Sequence, residues 1–515
     1  MKAKIEGAVE GVCAVLFALA FSLTKVYNPD NAQKFSWLTL VIGFILFIGI
    51  IRIADFFSSC WREEKTLKIS SKTFFVLNFI AIFLIGILFQ VIYYPATCNN
   101  DTIFMIRGGL GTSGQHPWEY IIMARAFRKI AWALGETDNE ALILFCVFQI
   151  IIISLACAYC LTWLKEKGVP KTPLIIIDAF FLLCPILNLY KITLVKDVIF
   201  TVGLMLMVPV MYDLWETEGE SIKSIKEIAL LLISTYLMMC RNNGFMICAV
   251  IAVYCCVAYR KVFKYMLLYA VVIALFFAST RFIQHHANAQ YRFREAVGVP
   301  IQQIAATVSK DGNITDIQRA FLEKIMPIEA MKEQYDPYNA DRIKYGEARI
   351  DDDFLNAHRA EFLKTYFEMM FSNFDIYVDS YLRCTYGFWS FSNKDYKMRY
   401  TYIGAFAAED SFASWFEEQK IYPRSLAPQG IQSLFENGIN TYSVFLGVGT
   451  TAWCVLCIIL LLHRKNKIGC GVSLPFLLCW VTILMATPIA FQWRYGLCFA
   501  VALPVYYGIL NIPSK

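Results

Sequence analysis

Apolar runs of about twenty residues recur along this chain. They lie at about 11–26, 37–58, 74–94, 141–164, 193–213 and 265–282, and again at about 440–462, 473–488 and 492–510. An α-helix rises about 1.5 Å per residue, so such a run matches the roughly 30 Å hydrocarbon core of a bilayer. Backbone polar groups in lipid must be satisfied within their own segment, which makes each run a helix. Composition agrees: 58% of the residues are hydrophobic and 17% charged, too apolar a balance for a soluble globular chain. The net charge of +6 sits in short loops, which fits the positive-inside bias better than a nucleic-acid surface.

Basic loops orient the runs. Arg52, Arg62, Lys65, Lys68 and Lys72 mark one cytoplasmic loop, and Lys165, Lys167 and Lys171 a second. Arg260, Lys261 and Lys264 mark a third, and His463, Arg464, Lys465 and Lys467 a fourth. The first run follows Lys2 and Lys4 and lacks a small-x-small cleavage site, so it reads as an uncleaved span. Two stretches are irregular. The run at about 173–188 is short, carries Pro173 and Pro185, and is expected to exit outward at Tyr190 and Lys191. The run at about 227–259 would be roughly 50 Å long as one helix, and Arg241-Asn242-Asn243-Gly244 interrupts its middle. Two short helices meeting at a polar outer turn resolve it.

The expected fold is an all-α polytopic membrane protein of about 12 transmembrane helices in the cell membrane, with both termini cytoplasmic. An N-terminal transmembrane module of about nine spans covers residues 1–282, with an external loop at 95–140. Within it, residues 118–134 read as an amphipathic interfacial helix with Arg125, Arg128 and Lys129 on its polar side. Residues 283–437 are richer in charge and read as an external, mostly helical soluble domain. One of its helices, about 352–371, is expected to be capped by Asp351-Asp352-Asp353. A C-terminal module of about three spans covers 438–515. Most of the 17 cysteines lie inside apolar runs as small hydrophobes. Cys98 and Cys384 fall in external loops, where an oxidising compartment would let them pair.

This topology gathers four polar sets on the external face. They are Asp101 with His116; Lys191, Lys196 and Asp197; the Arg241 turn; and Gln492-Trp493-Arg494-Tyr495. Ionisable groups within spans cost roughly 2.5–3.5 kcal/mol at the bilayer centre and so usually have a reason to be there. Cations and carboxylates converging on one side suggest a site for an anionic lipid head group. Plainer readings stand beside it. Lys191 and Arg494 fit snorkelling at the interface, Lys196-Asp197 fits an internal ion pair, and His116 fits a loop residue satisfying backbone groups.

Asp101 in the first large external loop, with His116-Pro117 about fifteen residues on, resembles the GT-C superfamily of membrane glycosyltransferases. Within it the likeness is to protein mannosyltransferases and lipid A aminoarabinose transferases. More closely, Lys196-Asp197, Arg241-Asn242-Asn243-Gly244 and Gly298-Val299-Pro300-Ile301-Gln302-Gln303 are similar to motifs of an uncharacterised bacterial membrane family of GT-C type. The resemblance spans about residues 75 to 300, and the remainder agrees by architecture. It implies an inverting transfer of a sugar from a polyprenyl-phosphate donor to an extracytoplasmic glycan, lipid or protein acceptor. Asp101 would be the general base, and His116 would orient it or touch the acceptor. Arg241 and Lys196, then Arg494, would stabilise the leaving phosphate, with Asp197 holding Lys196. Lys191, Arg107, Asn242 and Gln302 complete the implied substrate-binding set. A divalent cation stays open as a cofactor, but Asp101 follows two asparagines where many relatives carry paired acids, and Trp118 replaces a second proline. A polysaccharide polymerase or ligase, a lipid-linked-sugar transporter or flippase, and a non-enzymatic accessory protein are the competing readings. A transporter would show internal repeats and midplane breaks.

Overall fold

Helix ends fall where local chemistry stops a helix, and that fixes the architecture. The computed structural model describes residues 2–61, 64–98, 101–102, 105–106, 109–114, 116–289, 291–391, 418, 420–445 and 447–513. The chain opens with α1 (Lys2–Val26), α2 (Trp37–Cys60) and α3 (Ser71–Ile92), followed by α4 (Trp118–Ala133) and α5 (Asp138–Glu166). Next come α6 (Lys171–Leu183), α7 (Pro185–Ile192), α8 (Lys196–Glu216), α9 (Ile225–Met239), α10 (Asn242–Ala258) and α11 (Phe263–His286). Thr137 and Glu140 form a reciprocal capping box at the start of α5. Arg128 of α4 pairs with Asp138 at 2.9 Å, which ties α4 to α5.

Among the described residues, six helices are long and apolar enough to cross a membrane: Gly7–Val26, α2, α3, α5, α8 and the stretch Arg260–His286 that contains α11. The pair α6 and α7 makes a seventh if its 51° bend is taken as one broken span. Several of the expected runs close into shorter helices. Helix α9 has 15 residues, about 23 Å, and α10 has 17. The long run from 227 does break at Arg241, into α9 and α10.

Burial ranks the spans. The span window of α8 is 89% buried, against 17% for α2 and for the α11 stretch, so α8 is the central helix and those two lie on the perimeter. Apolar residues surround α8 on every side, as a helix inside a bundle requires. It packs against α5 and α9. Gly203 permits the close approach to α9, since a Cβ there would lie 2.7 Å from the Met238 backbone nitrogen.

The α6–α7 break has a clear cause. Pro185 has no N–H, so the Phe181 carbonyl one turn back loses its helical donor. Lys191 Nζ donates to that carbonyl at 3.3 Å and to Asn188 Oδ1 at 2.6 Å. Asn188 Nδ2 in turn donates to the Leu182 and Cys184 carbonyls at 2.8 and 3.0 Å. Lys191 is therefore fully buried. Full burial takes it out of reach of a substrate, although the sequence placed it in the binding set; it closes a helix break.

The all-α expectation also needs one amendment. Residues Thr97–Cys98 (β1) and Thr193–Leu194 (β2) form a parallel two-stranded sheet in the register Thr97↔Thr193 and Cys98↔Leu194. The Thr97 and Thr193 hydroxyls share a 2.7 Å hydrogen bond. The amide of Gln149, on α5, donates to the Thr193 carbonyl at 2.8 Å and to that of Lys191 at 3.0 Å.

After α11 a second, separate core is built from short helices. Its interior includes Ile301, Leu322, Met331, Phe362 and Tyr377. The helices are α12 (Gly298–Ser309), α13 (Asp316–Ile325), α14 (Arg359–Ser372) and α15 (Phe374–Cys384), with shorter turns between them. Asp351 does cap the helix Asp352–Ala357, accepting from the Phe354 N–H at 2.8 Å. That helix stops before His358, and α14 starts anew behind it. The chain then returns Tyr386, Phe388 and Trp389 to the main core. An aromatic-rich stretch runs from Tyr377 to Tyr402, and its part from residue 392 lies outside the described residues. Helices α16 (Gln429–Phe445), α17 (Val448–Arg464), α18 (Cys470–Ala486) and α19 (Trp493–Leu510) complete the chain; α18 and α19 also pack on α8. Cys98 and Cys384 are both free and buried, and burial pushes each thiol up to about 12.

Replacing Lys191 with Met strands two buried acceptors. The expected loss is about 1–3 kcal/mol of stability, seen as a lower melting temperature of the purified protein; an unchanged melting temperature would remove Lys191 from this role.

Candidate functional site

The sheet sets the site. Three residues beyond the end of β1 the chain reaches Asp101, and two beyond the end of β2 it opens α8 with Lys196-Asp197. The Thr102 hydroxyl donates to the Leu194 carbonyl and locks the two connections together. Arg241, in extended backbone, precedes α10. Gly244 is required there, because a Cβ would lie 1.7 Å from the Met238 carbonyl oxygen. Extended Gln492 precedes α19, whose second residue is Arg494. The entry to α19 is fixed from the second core: the Ala340 N–H donates to the Pro488 carbonyl at 3.0 Å, and the Ala490 N–H to the Tyr338 carbonyl at 2.9 Å. Three helices thus begin at one place, and their N-terminal dipole ends favour an anion there.

The side chains form one charge network. Arg494 Nη1 lies 2.9 Å from Asp101 Oδ2, and Lys196 Nζ lies 3.8 Å from the same oxygen. Lys196 Nζ also donates to His116 Nδ1 at 2.7 Å. An ammonium group can only donate, so Nδ1 accepts and the imidazole proton sits on Nε2. Arg241 Nη1 meets Asp197 Oδ1 at 2.9 Å. Both guanidinium groups lie 4.6 Å from the centre of the Tyr495 ring, a cation–π arrangement. Arg494 also donates to the Tyr495 hydroxyl. The Asp101 side chain is 29% exposed and that of Asp197 1%. Asp101 is therefore the accessible carboxylate, and Asp197 is an internal counter-ion.

Burial pushes the Asp101 carboxyl up, but Arg494, Lys196 and His116 together outweigh it and hold it below the ordinary carboxylate range. Burial, and then Lys196, push His116 down to about 3 against the opposing pull of Asp101. His116 is neutral at physiological pH, with Nε2–H free of the Lys196 contact.

Of the residues expected from sequence, the structure brings together Asp101, His116, Lys196, Asp197, Arg241 and Arg494. Asn242 opens the helix that Arg241 precedes. Gln302 is elsewhere, buried in the second core, where its amide donates to the Asp336 carbonyl. Lys191 sits at the α6–α7 break, and Arg107 lies outside the described residues. Asp197 contacts Arg241 where Lys196 was expected as its partner. Tyr495, named from sequence within the Gln492–Tyr495 set and given no role there, lies between the two guanidinium groups. A divalent cation does not fit this cluster, because each carboxylate already faces cations: Asp101 faces Arg494 and Lys196, and Asp197 faces Arg241. Among the described residues no group of three or more His, Cys, Asp or Glu side chains is placed to hold a metal ion.

Two measurements check this geometry. Folded His116 titrates near 3 and the unfolded residue near about 6.5. The unfolded state therefore binds the extra proton between those values, and stability falls as the pH drops through that window. The variant His116→Gln should flatten the fall of melting temperature between about pH 6.5 and 4.5; a slope equal to that of the native protein would contradict the buried neutral imidazole. Separately, Asp197→Asn leaves the Arg241 guanidinium without its counter-ion and should cost about 3–5 kcal/mol. Adding Arg241→Gln should recover part of that loss, and strict additivity of the two would deny the pair.

No curated protein and no solved structure matches the chain. Residues 112–510 match the model of DUF6020, a family of unknown function. The matched region takes in His116, Lys196, Asp197, Arg241, Arg494 and Tyr495 and begins after Asp101; since it covers most of the sequence, the chain belongs to the DUF6020 family.

Proposed function

We propose that this protein is a membrane glycosyltransferase of GT-C type that moves a sugar from a polyprenyl-phosphate donor to an extracytoplasmic acceptor. In this reading the chain makes about twelve passes, with both termini cytoplasmic. The Asp101 cluster and the second core then face outward. The observation that carries the reading is the convergence of Asp101, His116, Lys196, Arg241 and Arg494 in one connected, partly open network. Its members come from four stretches spread over most of the sequence. A site that must bind a lipid phosphate and remove a proton from a hydroxyl needs this mixture of charges.

The free protein holds Asp101 as the counter-ion of Arg494 and Lys196, where it is a weak base. An incoming donor phosphate competes for those two cations, and each one drawn away makes the carboxylate more basic. The acceptor oxygen then bonds to the anomeric carbon while the carbon–oxygen bond to the lipid phosphate breaks. The acceptor proton passes to Asp101, and the negative charge stays on the leaving phosphate. Arg494 and Lys196 stabilise that charge, and Arg241, held by Asp197 against the Tyr495 ring, adds to the field. The His116 Nε2–H is left to donate to the acceptor or the sugar. In-line attack inverts the anomeric carbon.

The test is transfer of radiolabelled sugar from a panel of polyprenyl-phosphate sugars, in membranes containing the native protein or its Asp101→Asn variant. Asp101→Asn should lower the rate by about 10²–10⁴-fold at unchanged protein level. Full retained transfer would remove Asp101 as the base. Transfer insensitive to Asp101 but abolished by Arg241→Lys would move the reading to a polymerase or ligase.

A further inference from the structure

The other end of the bundle holds a cavity of about 1170 Å³. Three helices that begin at the Asp101 cluster lead to it. Helix α8 starts with Lys196 and ends with Trp215 and Glu216 at the cavity wall; α10 delivers Tyr254; and the turn after α19 supplies Ile512. The 21 residues of α8 span about 30 Å, so the two sites stand about one hydrocarbon thickness apart.

Charge and shape at this end point to a ligand. Five cations line the cavity, Lys167, Arg260, Lys261, Lys465 and Lys467, against the two carboxylates of Glu216 and Glu218. Both carboxylates are engaged, Glu216 by Lys167 at 2.5 Å and Glu218 by Lys261. Lys465 pairs with Asp55, and Lys467 donates to the Leu510 and Ile512 carbonyls at 2.6 and 2.5 Å. Arg260 is exposed at the cavity wall and, among the described residues, makes no ion pair or side-chain hydrogen bond. The aromatic wall contains two edge-to-face pairs, Tyr212 with Trp215 at 5.4 Å and Tyr254 with Tyr259 at 6.2 Å. Such rings are amphipathic surfaces suited to the head-group level of a bilayer. The volume exceeds that of most small-molecule pockets and suits a head group with the start of its acyl chains.

We propose that this cavity is a second binding site, for the phosphate-bearing head group of an anionic membrane lipid, with Arg260 as its principal phosphate contact. The proposal is independent of the transferase reading, since it uses none of the Asp101 cluster. It is tested on the full-length purified protein by lipid retention in native mass spectrometry and by melting temperature, comparing phosphatidylglycerol with phosphatidylcholine. Phosphatidylglycerol should be retained preferentially and should raise the melting temperature. The double variant Arg260→Ala, Lys261→Ala changes two exposed side chains and should weaken retention by roughly fivefold per cation removed; Arg260→Lys should restore part of it. Equal retention of the two lipids, or retention unchanged in the double variant, overturns the proposal. A drop in Arg494→Gln with none in the double variant would place the lipid at the opposite end and also overturn it. Inorganic phosphate forms the third arm. Arg260-dependent stabilisation by phosphate without any lipid preference would assign the cavity to a soluble anion and overturn the lipid assignment.

Discussion

An ion at the end of an apolar bundle is stable only beside its counter-ion, and the contact between Arg241 and Asp197 meets that requirement at the most buried point of the cluster. Much of the surrounding structure depends on it. Asp197 opens the central helix α8, and Arg241 separates α9 from α10, so the pair holds two helix starts together. The guanidinium then lies against Tyr495 at the start of α19, where Arg494 reaches Asp101. Charge is progressively more accessible along this chain of contacts. Asp197 is sealed, Arg241, Lys196 and Arg494 are slightly exposed, and Asp101 is open enough to meet a second molecule.

The same physics governs the irregular helices. A carbonyl that loses its helical donor inside a bundle has no water to turn to. At Pro185 the donors come from Lys191 and Asn188, from within the following turn of chain. At Arg241 the backbone turns sharply enough that only glycine fits at position 244. At β1 and β2 four residues of extended chain pair with one another, and Gln149 covers the neighbouring carbonyls. Each device satisfies backbone groups, and each also aims a functional or structural side chain.

The central helix gives the molecule two chemically distinct ends. Its first turn carries Lys196 and Asp197 in a mixed-charge network beside His116, and its last turn carries Trp215 and Glu216 at a basic, aromatic-walled cavity. The second core is joined to the first of these ends, because the Tyr338–Ala340 segment pairs with the Pro488–Ala490 segment leading to Arg494.

Length and hydropathy alone determined that this is a helical chain with segments long and apolar enough to cross a membrane, because only a helix satisfies its own backbone in lipid. The break at Arg241 and the cap at Asp351 were equally local, each readable from a few residues. Asp101, His116, Lys196, Arg241 and Arg494 could be singled out because ionisable residues at the edges of apolar runs are conspicuous. Their partnerships could not be read. Asp197 serves Arg241, 44 positions away, and not its neighbour Lys196, since adjacent residues on a helix point in different directions. The burial of Lys191 followed from a proline six residues earlier, and the strand pairing from two segments too short to carry any periodic pattern. Sequence determined which groups had to be reckoned with; only the packing of helices against one another decided which of them met, because a contact across the bundle leaves no spacing in the chain.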